Sequence, residues 1–479
     1  MLYKVTKRYF ARSVKRVQKT QKLSETSQET PQETPQETSQ ETSQETSQET
    51  SQETPKKPEI DEVWMARRHM PLIQMPDALC RGAQSLFSKY PNPEIREWGY
   101  KLAQSYAEMY GLEKPTDISH TKPFATTEEM LNPDVKAFRH QLYYKMPKQI
   151  GLKELSGKIE EGLKLSKPKV SLKYQIEHAV GYAYKRMPCT YASAVRALSE
   201  AKYRLPLFEP KKVLDFGAGT GATGWAAMSL YPKLDIVANV DPSKAMRTVG
   251  KKISFEVPQF KWFESLANLP STTQEEGVFD IVTCNYVLTE VEDSESRKLI
   301  LEALWERTKG MLLFIEPGTP KGHRIINSVR NWVIESKSRE EANILAPCPH
   351  EGTCPLANHP DSWCHFSQFV VKYPKKVISK PSTARMEENE KFSYLLIYKG
   401  ELPRQKYNDP QETTSLAEKS YFWPRMVRPN IKRQKHVVMD LCTRESETLQ
   451  RVTKTKGKLP NHVYKYVRKA GWGDLWPFS

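Results

Sequence analysis

The stretch "KKVLDFGAGTGATGWAAMSLYP", residues 211–232, decides the fold. The apolar run at 213–216 reads as a short buried strand, and three alternating glycines follow it: Gly217, Gly219 and Gly221. Glycine tolerates left-handed backbone and lets a main chain approach a ligand closely, so this spacing predicts a tight turn under a bound molecule. Residues 222–230 then read as a helix whose first N–H groups face that molecule. The next apolar run, "LDIVANVD" at 234–241, ends in Asp241, twenty residues beyond Gly221. A carboxylate there suits a ribose diol, because it can accept both hydroxyl hydrogens.

The alternation of strand and helix continues. A short strand is expected near 260–263, a fourth at "FDIVTCNYVL" (279–288), a fifth at "GMLLFIEPG" (310–318) and a late one at "KFSYLLIYK" (391–399). Repeated strand–helix units predict an α/β fold with a parallel, doubly wound, Rossmann-like sheet, its last strand antiparallel. The D-x-G-x-G-x-G spacing resembles motif I of S-adenosylmethionine-dependent methyltransferases rather than the G-x-G-x-x-G of NAD enzymes. By that resemblance Asp215, Gly217, Gly219 and Gly221 line the methionine part of S-adenosylmethionine. Asp241 meets its ribose, and the region after Phe263 meets the adenine.

No catalytic residue can be assigned on the same footing. Amino-directed methyltransferases carry Asn/Asp-Pro-Pro-Tyr/Phe after the fourth strand, and this chain has "CNYVLTEV" there. The Pro-Cys of "MPCT" (187–190) lies before motif I, and Cys284 sits inside a strand, where core packing is expected.

The chain has 479 residues, room for two or three domains. No stretch approaches the roughly 20 apolar residues of a membrane span. Net charge is +16 and is unevenly laid out. Residues 1–23 carry eight Lys/Arg and no acid, with Leu2, Val5, Tyr9, Phe10 and Val17 on roughly one helical side: the pattern of a mitochondrial presequence. Residues 24–54 repeat Gln-Glu-Thr-Ser/Pro with eight Glu and no base, which cannot bury a core and reads, through 58, as a disordered linker. The two ends cancel, so the body itself is basic and suits a polyanionic partner. Residues 59–205 read as a helical domain, with Trp98, Leu102, Tyr106 and Tyr110 spaced along one helix and Ala194, Val195, Leu198 and Ala201 along another. Residues 206–400 read as the methyltransferase-like domain, and 401–479 as a basic C-terminal domain. Lys185, Arg186 and Arg196 read as scattered surface charge.

Cysteine is concentrated. "CPHEGTCPLANHPDSWCHFSQ" (348–368) holds three of seven cysteines and three of ten histidines, His350, His359 and His365, in an insertion spanning 345–370. Seven cysteines is an odd number, and too few, for a disulfide scaffold. Prolines after Cys348 and Cys354 predict an open loop. The C-x5-C-x9-C spacing lacks the short pairs of structural zinc, but histidines could complete such a site. With the remote Cys442, the set also suits an iron–sulfur cluster. Spacing leaves zinc and cluster both open.

The blocks "IEPGTPKGHRIINSVR", "CPHEGTCPL…WCHFSQ", "EKFSYLLIYK", "WPRMVRPNIKRQKHVVMDLC" and "RKAGWGDLWP" occur in this order between 192 and 476. Together they resemble the Rsm-type mitochondrial small-ribosomal-subunit family, whose animal members are called methyltransferase-like proteins. The resemblance implies a protein of the mitochondrial matrix that binds the maturing small subunit, its rRNA and its ribosomal proteins. It also implies a [4Fe–4S] cluster on Cys348, Cys354, Cys364 and Cys442. The polar repeat and a polar insertion near 407–419 depart from the family and touch none of its motifs.

Residues 425–469 carry thirteen Lys/Arg against three acids, interleaved with Tyr464 and Tyr466 and flanked by Trp423 and Trp472. Phosphate neutralisation plus aromatic stacking is a way to hold RNA. Arg425, Arg428, Lys432, Arg433, Lys435, Lys465, Arg468 and Lys469 are the candidate RNA contacts. "HVVMDLC" and "HVYKYVRKA" both alternate like strands, which predicts a small β-rich domain. The expected function is small-subunit assembly on a methyltransferase-like scaffold. An active rRNA methyltransferase and a zinc-stapled resident ribosomal protein are the rivals.

Overall fold

A computed structural model describes residues 60–109 and 175–478, apart from 292, 336–341, 360, 375, 379–386 and 445–447. The presequence, the repeat, and Tyr110 of the expected helix lie outside the described residues.

The central sheet is built from β1 (Lys212–Phe216), β2 (Ile236–Val240), β3 (Phe260–Phe263), β4 (Phe279–Asn285), β5 (Thr308–Pro317), β6 (Ala342–Ala346), β7 (Phe366–Val371) and β8 (Glu387–Lys399). Its order is β3-β2-β1-β4-β5-β8-β6, with β7 also on β8. The first five strands are parallel, and β8 runs antiparallel to β5, β6 and β7. Strands covered on both faces read as continuous apolar runs, and β5 is buried along nearly its whole length. The expected cysteine-rich insertion at 345–370 is shorter as a loop. Its ends are drawn into the sheet as β6 and β7, which sequence reading missed.

Helices α1 (Ile60–Ala66), α2 (Asp77–Phe87), α3 (Asn92–Met109), α4 (Ile176–Lys185) and α5 (Met187–Arg204) precede the sheet. Helix α5 packs on β5, β6, β7 and β8 and is buried all round, as expected of a helix with apolar and small residues on every side. Helices α2, α4 and α5 therefore share one core with a face of the sheet, instead of forming a core of their own. Helix α6 (Ala222–Leu230) follows the glycine turn with the predicted bounds, and α7 (Lys244–Ile253) follows β2. The opposite face carries α8 (Ser294–Glu306) and α9 (Pro320–Glu335).

The C-terminal part is a second sheet, β9 (Arg425–Met426), β10 (Ile431–Lys432), β11 (His436–Cys442) and β12 (Gln450–Thr455), in the order β10-β11-β12 with β9 on β11. Its core includes Met65 and Ala66 of α1, so the first described helix packs with the last domain. "HVYKYVRKA" is not a strand but helix α10 (Asn461–Lys469). Val463, Tyr466, Val467 and Ala470 recur at three- and four-residue spacing and are buried, which is the helical period. No helix among the described residues is long and apolar enough to cross a membrane.

Candidate functional site

The glycine turn lies where the first strands end. Gly217, Gly219 and Gly221 have φ of 68°, 56° and 87°, the left-handed region that a side chain resists. A Cβ on Gly217 would stand 2.2 Å from Cγ2 of Val287. The Gly219 N–H donates to Oδ2 of Asp241 at 2.8 Å, and the Ser243 N–H to Oδ1 at 2.8 Å, so Asp241 braces the turn from the end of β2. Burial raises the Asp241 carboxyl above its ordinary range. Asp215 accepts from the Thr283 hydroxyl at 2.7 Å, and burial, reinforced by Asp241, pushes it up to about 7.

Two buried polar atoms at this turn, Oγ1 of Thr220 and Oδ1 of Asn285, have no hydrogen-bond partner among the described residues. A buried acceptor without a donor is costly, so the turn is chemically matched to a ligand bearing N–H or O–H groups, as S-adenosylmethionine does. Tyr182 of α4 stands over Gly219, and the Trp262 ring over Gly221.

The segment after β4, where the Asn/Asp-Pro-Pro-Tyr/Phe motif would stand, is held from within. Tyr286 follows β4 with φ of 61°, rare for a bulky residue. Its hydroxyl donates to Oε1 of Glu390 at 2.9 Å and lies 3.1 Å from Oγ of Ser193. The Arg186 guanidinium covers its ring at 5.3 Å and binds both oxygens of Glu390 at 2.9 Å. Arg186, Lys185 and Arg196 are thus not scattered surface charge. They pair with Glu390, Glu388 and Glu200. Cys284 is core, as expected, and Cys189 is buried in α5.

Cys348, Cys354, Cys364 and Cys442 all line one small pocket, with His350, Arg330 and Arg425 on its walls. All four are free thiols. They arrive from the loop after β6, the approach to β7, and the end of β11. Leu356, Val427 and Leu449 pack against them. Burial, then the neighbouring thiols, pushes Cys364 and Cys442 well above the ordinary thiol range, and Cys354 up as well. Mutual repulsion of this kind is what a shared cation relieves. Nε2 of His350 lies 3.4 Å from Sγ of Cys442. His359 is exposed, and His365 stacks on Trp363 and meets Trp472 edge-on. Among the described residues no group of three or more His, Cys, Asp or Glu side chains stands ready-made in metal-binding geometry. The side chains that meet here, four thiols with one histidine beside them, are of the types that thiolate-ligated metal centres use.

The basic segment divides. Lys432, Arg433, Lys435, Lys465, Arg468 and Lys469 are exposed. The β10–β11 hairpin tip, the turn at Lys456–Lys458 and the end of α10 meet through main-chain links. The Lys456 N–H donates to the Lys435 carbonyl at 2.8 Å, and Nη1 of Arg468 to the Arg433 carbonyl at 2.6 Å. Lys456 and Lys458 join this surface and were not singled out from sequence. Arg428 is half-buried, paired with Asp440 and Ser362.

Arg425 corrects the reading of the segment. It is 1% exposed and bound to Glu200 of α5, so it cannot reach RNA. Trp423, Tyr464 and Tyr466 are buried in the C-terminal domain and offer no stacking face. Trp472, half-buried, donates to the Val427 carbonyl.

Strand order, glycine turn and bracing acid together define the Rossmann-like methyltransferase fold. The chain belongs to the family described as Mitochondrial small ribosomal subunit Rsm22, whose match spans residues 176–477. It is 26% identical over 423 residues to the human "Ribosome assembly protein METTL17, mitochondrial", covering 85% of this chain and 84% of that one. It is 27% identical over 331 residues to "Rsm22-cox11 tandem protein 2, mitochondrial" of Schizosaccharomyces pombe, covering 63% of this chain and 43% of that longer one. Among solved structures it is similar to the N-methyltransferase NodS from Bradyrhizobium japonicum WM9, at 12% identity and a TM-score of 0.27, over 45% of this chain and 98% of that one.

Proposed function

We propose that this chain is an assembly factor of the mitochondrial small ribosomal subunit, acting in the matrix. In this reading its methyltransferase-like body is a scaffold, and the basic tip of its C-terminal domain holds rRNA phosphates. The observation that carries the reading is the family match over 176–477, which includes the body, the cysteine loop and the basic domain. The basic presequence pattern at 1–23 and the charge of +16 support it independently. The end of β4 reads "CNYVLTEV" in place of the Asn/Asp-Pro-Pro-Tyr/Phe of amino-directed methyltransferases, which favours scaffold over enzyme.

Asp215, Gly217, Gly219, Gly221 and Asp241 would hold S-adenosylmethionine. Cys348, Cys354, Cys364 and Cys442 would hold a [4Fe–4S] cluster, with zinc as the rival metal. Such a cluster, when bound, supplies a covalent cross-link between the loop after β6 and β11, and a site for one electron.

Gradient sedimentation of mitochondrial lysates tests the role. The factor should travel with small-subunit precursors and be absent from translating ribosomes. Equal abundance on every small subunit would make it a resident protein, and no co-sedimentation with either would sink the ribosomal reading. The enzyme rival predicts that Asp241→Asn erases an rRNA methyl mark in subunits that still assemble.

A further inference from the structure

One wall of the cysteine pocket carries a cation that the fold leaves uncompensated. Arg330 of α9 is 2% exposed. Its Nη2 donates to the carbonyls of His350 at 3.1 Å and Gly352 at 2.6 Å, while Nε and Nη1 meet no oxygen or nitrogen acceptor and the Cys348 thiol is the side chain within their reach. No carboxylate pairs with it among the described residues; the ionisable groups that act on it are Cys348, Cys354 and Cys442. Arg425 also lines the pocket and also has an unpartnered Nε. Its one acid, Glu200, is shared with Arg68 and Arg196, so a single carboxylate faces three guanidinium groups, all fully buried. A buried guanidinium without a full counter-charge is strongly disfavoured; Arg330 has no carboxylate, and Arg425 shares its one with two other guanidinium groups.

We propose that Arg330 and Arg425 are the counter-charges of a metal–tetrathiolate centre on Cys348, Cys354, Cys364 and Cys442. This inference rests on the reading that these four cysteines hold metal. Four thiolates around either an oxidised [4Fe–4S] core or zinc leave a net dianion, which offsets most of the positive charge gathered at the pocket. The idle N–H groups of Arg330 then donate to sulfur. Hydrogen bonds to sulfur and nearby positive charge favour the more negative, reduced state of a cluster.

The test uses full-length protein purified anaerobically: wild type, Arg330→Gln, Arg330→Lys, and Arg330→Gln in a Cys348→Ser/Cys442→Ser background. Metal and acid-labile sulfide per chain, the rate of metal loss to an iron or zinc chelator, the midpoint potential if iron is present, and the melting temperature are read. Arg330→Gln should lose metal at least tenfold faster, with any cluster potential shifted negative, while Arg330→Lys keeps most of both. In the cysteine-depleted background Arg330→Gln should no longer destabilise the fold. Equal metal retention and potential in Arg330→Gln, or equal destabilisation in both backgrounds, overturns the inference and leaves the metal reading standing. A wild type that holds neither iron nor zinc overturns both.

Discussion

Cys442 of β11 and Arg425 of β9 face each other as cross-strand partners, and both line the cysteine pocket. Arg425 reaches on to Glu200 of α5 at 2.8 Å. The C-terminal sheet is therefore fastened to the methyltransferase-like body through an ion pair and through the thiol pocket, at adjacent points of one ladder. Removing the acid should show how much the ion pair contributes. Glu200→Gln strips the partner from three buried guanidinium groups, a change that typically costs about 3–5 kcal/mol. Chemical denaturation should show that loss, and hydrogen exchange should show β9 and β11 opening first. A loss under about 1 kcal/mol, well short of what breaking a buried pair costs, would mean the ion pair adds little to the apolar packing and the thiol pocket.

Removing the fourth thiol tests the other fastening. Cys442→Ser should lower bound metal and sulfide sharply, since no other cysteine among the described residues lines the pocket beyond Cys348, Cys354 and Cys364. If metal at the pocket cross-links the basic domain to the body, rRNA association in pulldowns falls with it, because the basic domain loses its fixed orientation. Undiminished association after cluster loss would separate the pocket from RNA binding and leave it a local staple.

The buried carboxyl at the glycine turn makes a pH prediction. Asp215 is held at about 7 in the folded chain by burial and by Asp241, against about 3.9 for a free Asp. Its folded value is raised, so the folded state binds more protons between those limits. Its contribution is full below about pH 4 and is lost as pH rises through about 7. Unfolding free energy should thus fall by about 2–4 kcal/mol across this window from Asp215 alone. Asp215→Asn, which can still accept from Thr283, should flatten the slope. Burial pushes Glu316 to about 7 as well, so a residual slope in the same direction is expected. Parallel slopes for wild type and variant would show that Asp215 stays ionised.

Much of this architecture was legible because central strands buried on both faces announce themselves. The run at 213–216, the glycine turn and α6 fell where the residues dictated, and Asp241 sits at the end of β2 as expected. The strand "ANILA" escaped notice because five residues with no alternation carry no period. "HVYKYVRKA" misled because its nine residues satisfy both a two-residue and a helical period; burial of Val463, Tyr466 and Val467 decides for the helix. Arg425 looked like its basic neighbours, since composition cannot tell which side of β9 faces the body. Arg330 was invisible for another reason: it lies on α9, ahead of the cysteine loop, and only the fold brings its side chain to the pocket wall.

The exposed tip of the C-terminal domain carries the RNA prediction. Arg433, Lys435 and Arg468 gather where the β10–β11 hairpin meets the end of α10, and all three are solvent-facing. Replacing them together with Ala removes charge without opening the core, so the melting behaviour should shift by no more than about 0.5 kcal/mol in stability for each site. Each phosphate left without its cation should reduce the slope of log affinity against log salt by about 1. Filter binding of small-subunit rRNA fragments at several salt concentrations reads this directly. Arg425→Lys serves as the contrast, because a buried bidentate partner of Glu200 changes stability and not the salt slope. If the triple variant keeps the wild-type slope, the phosphates are held elsewhere on the body, and the hairpin tip is a solvated surface.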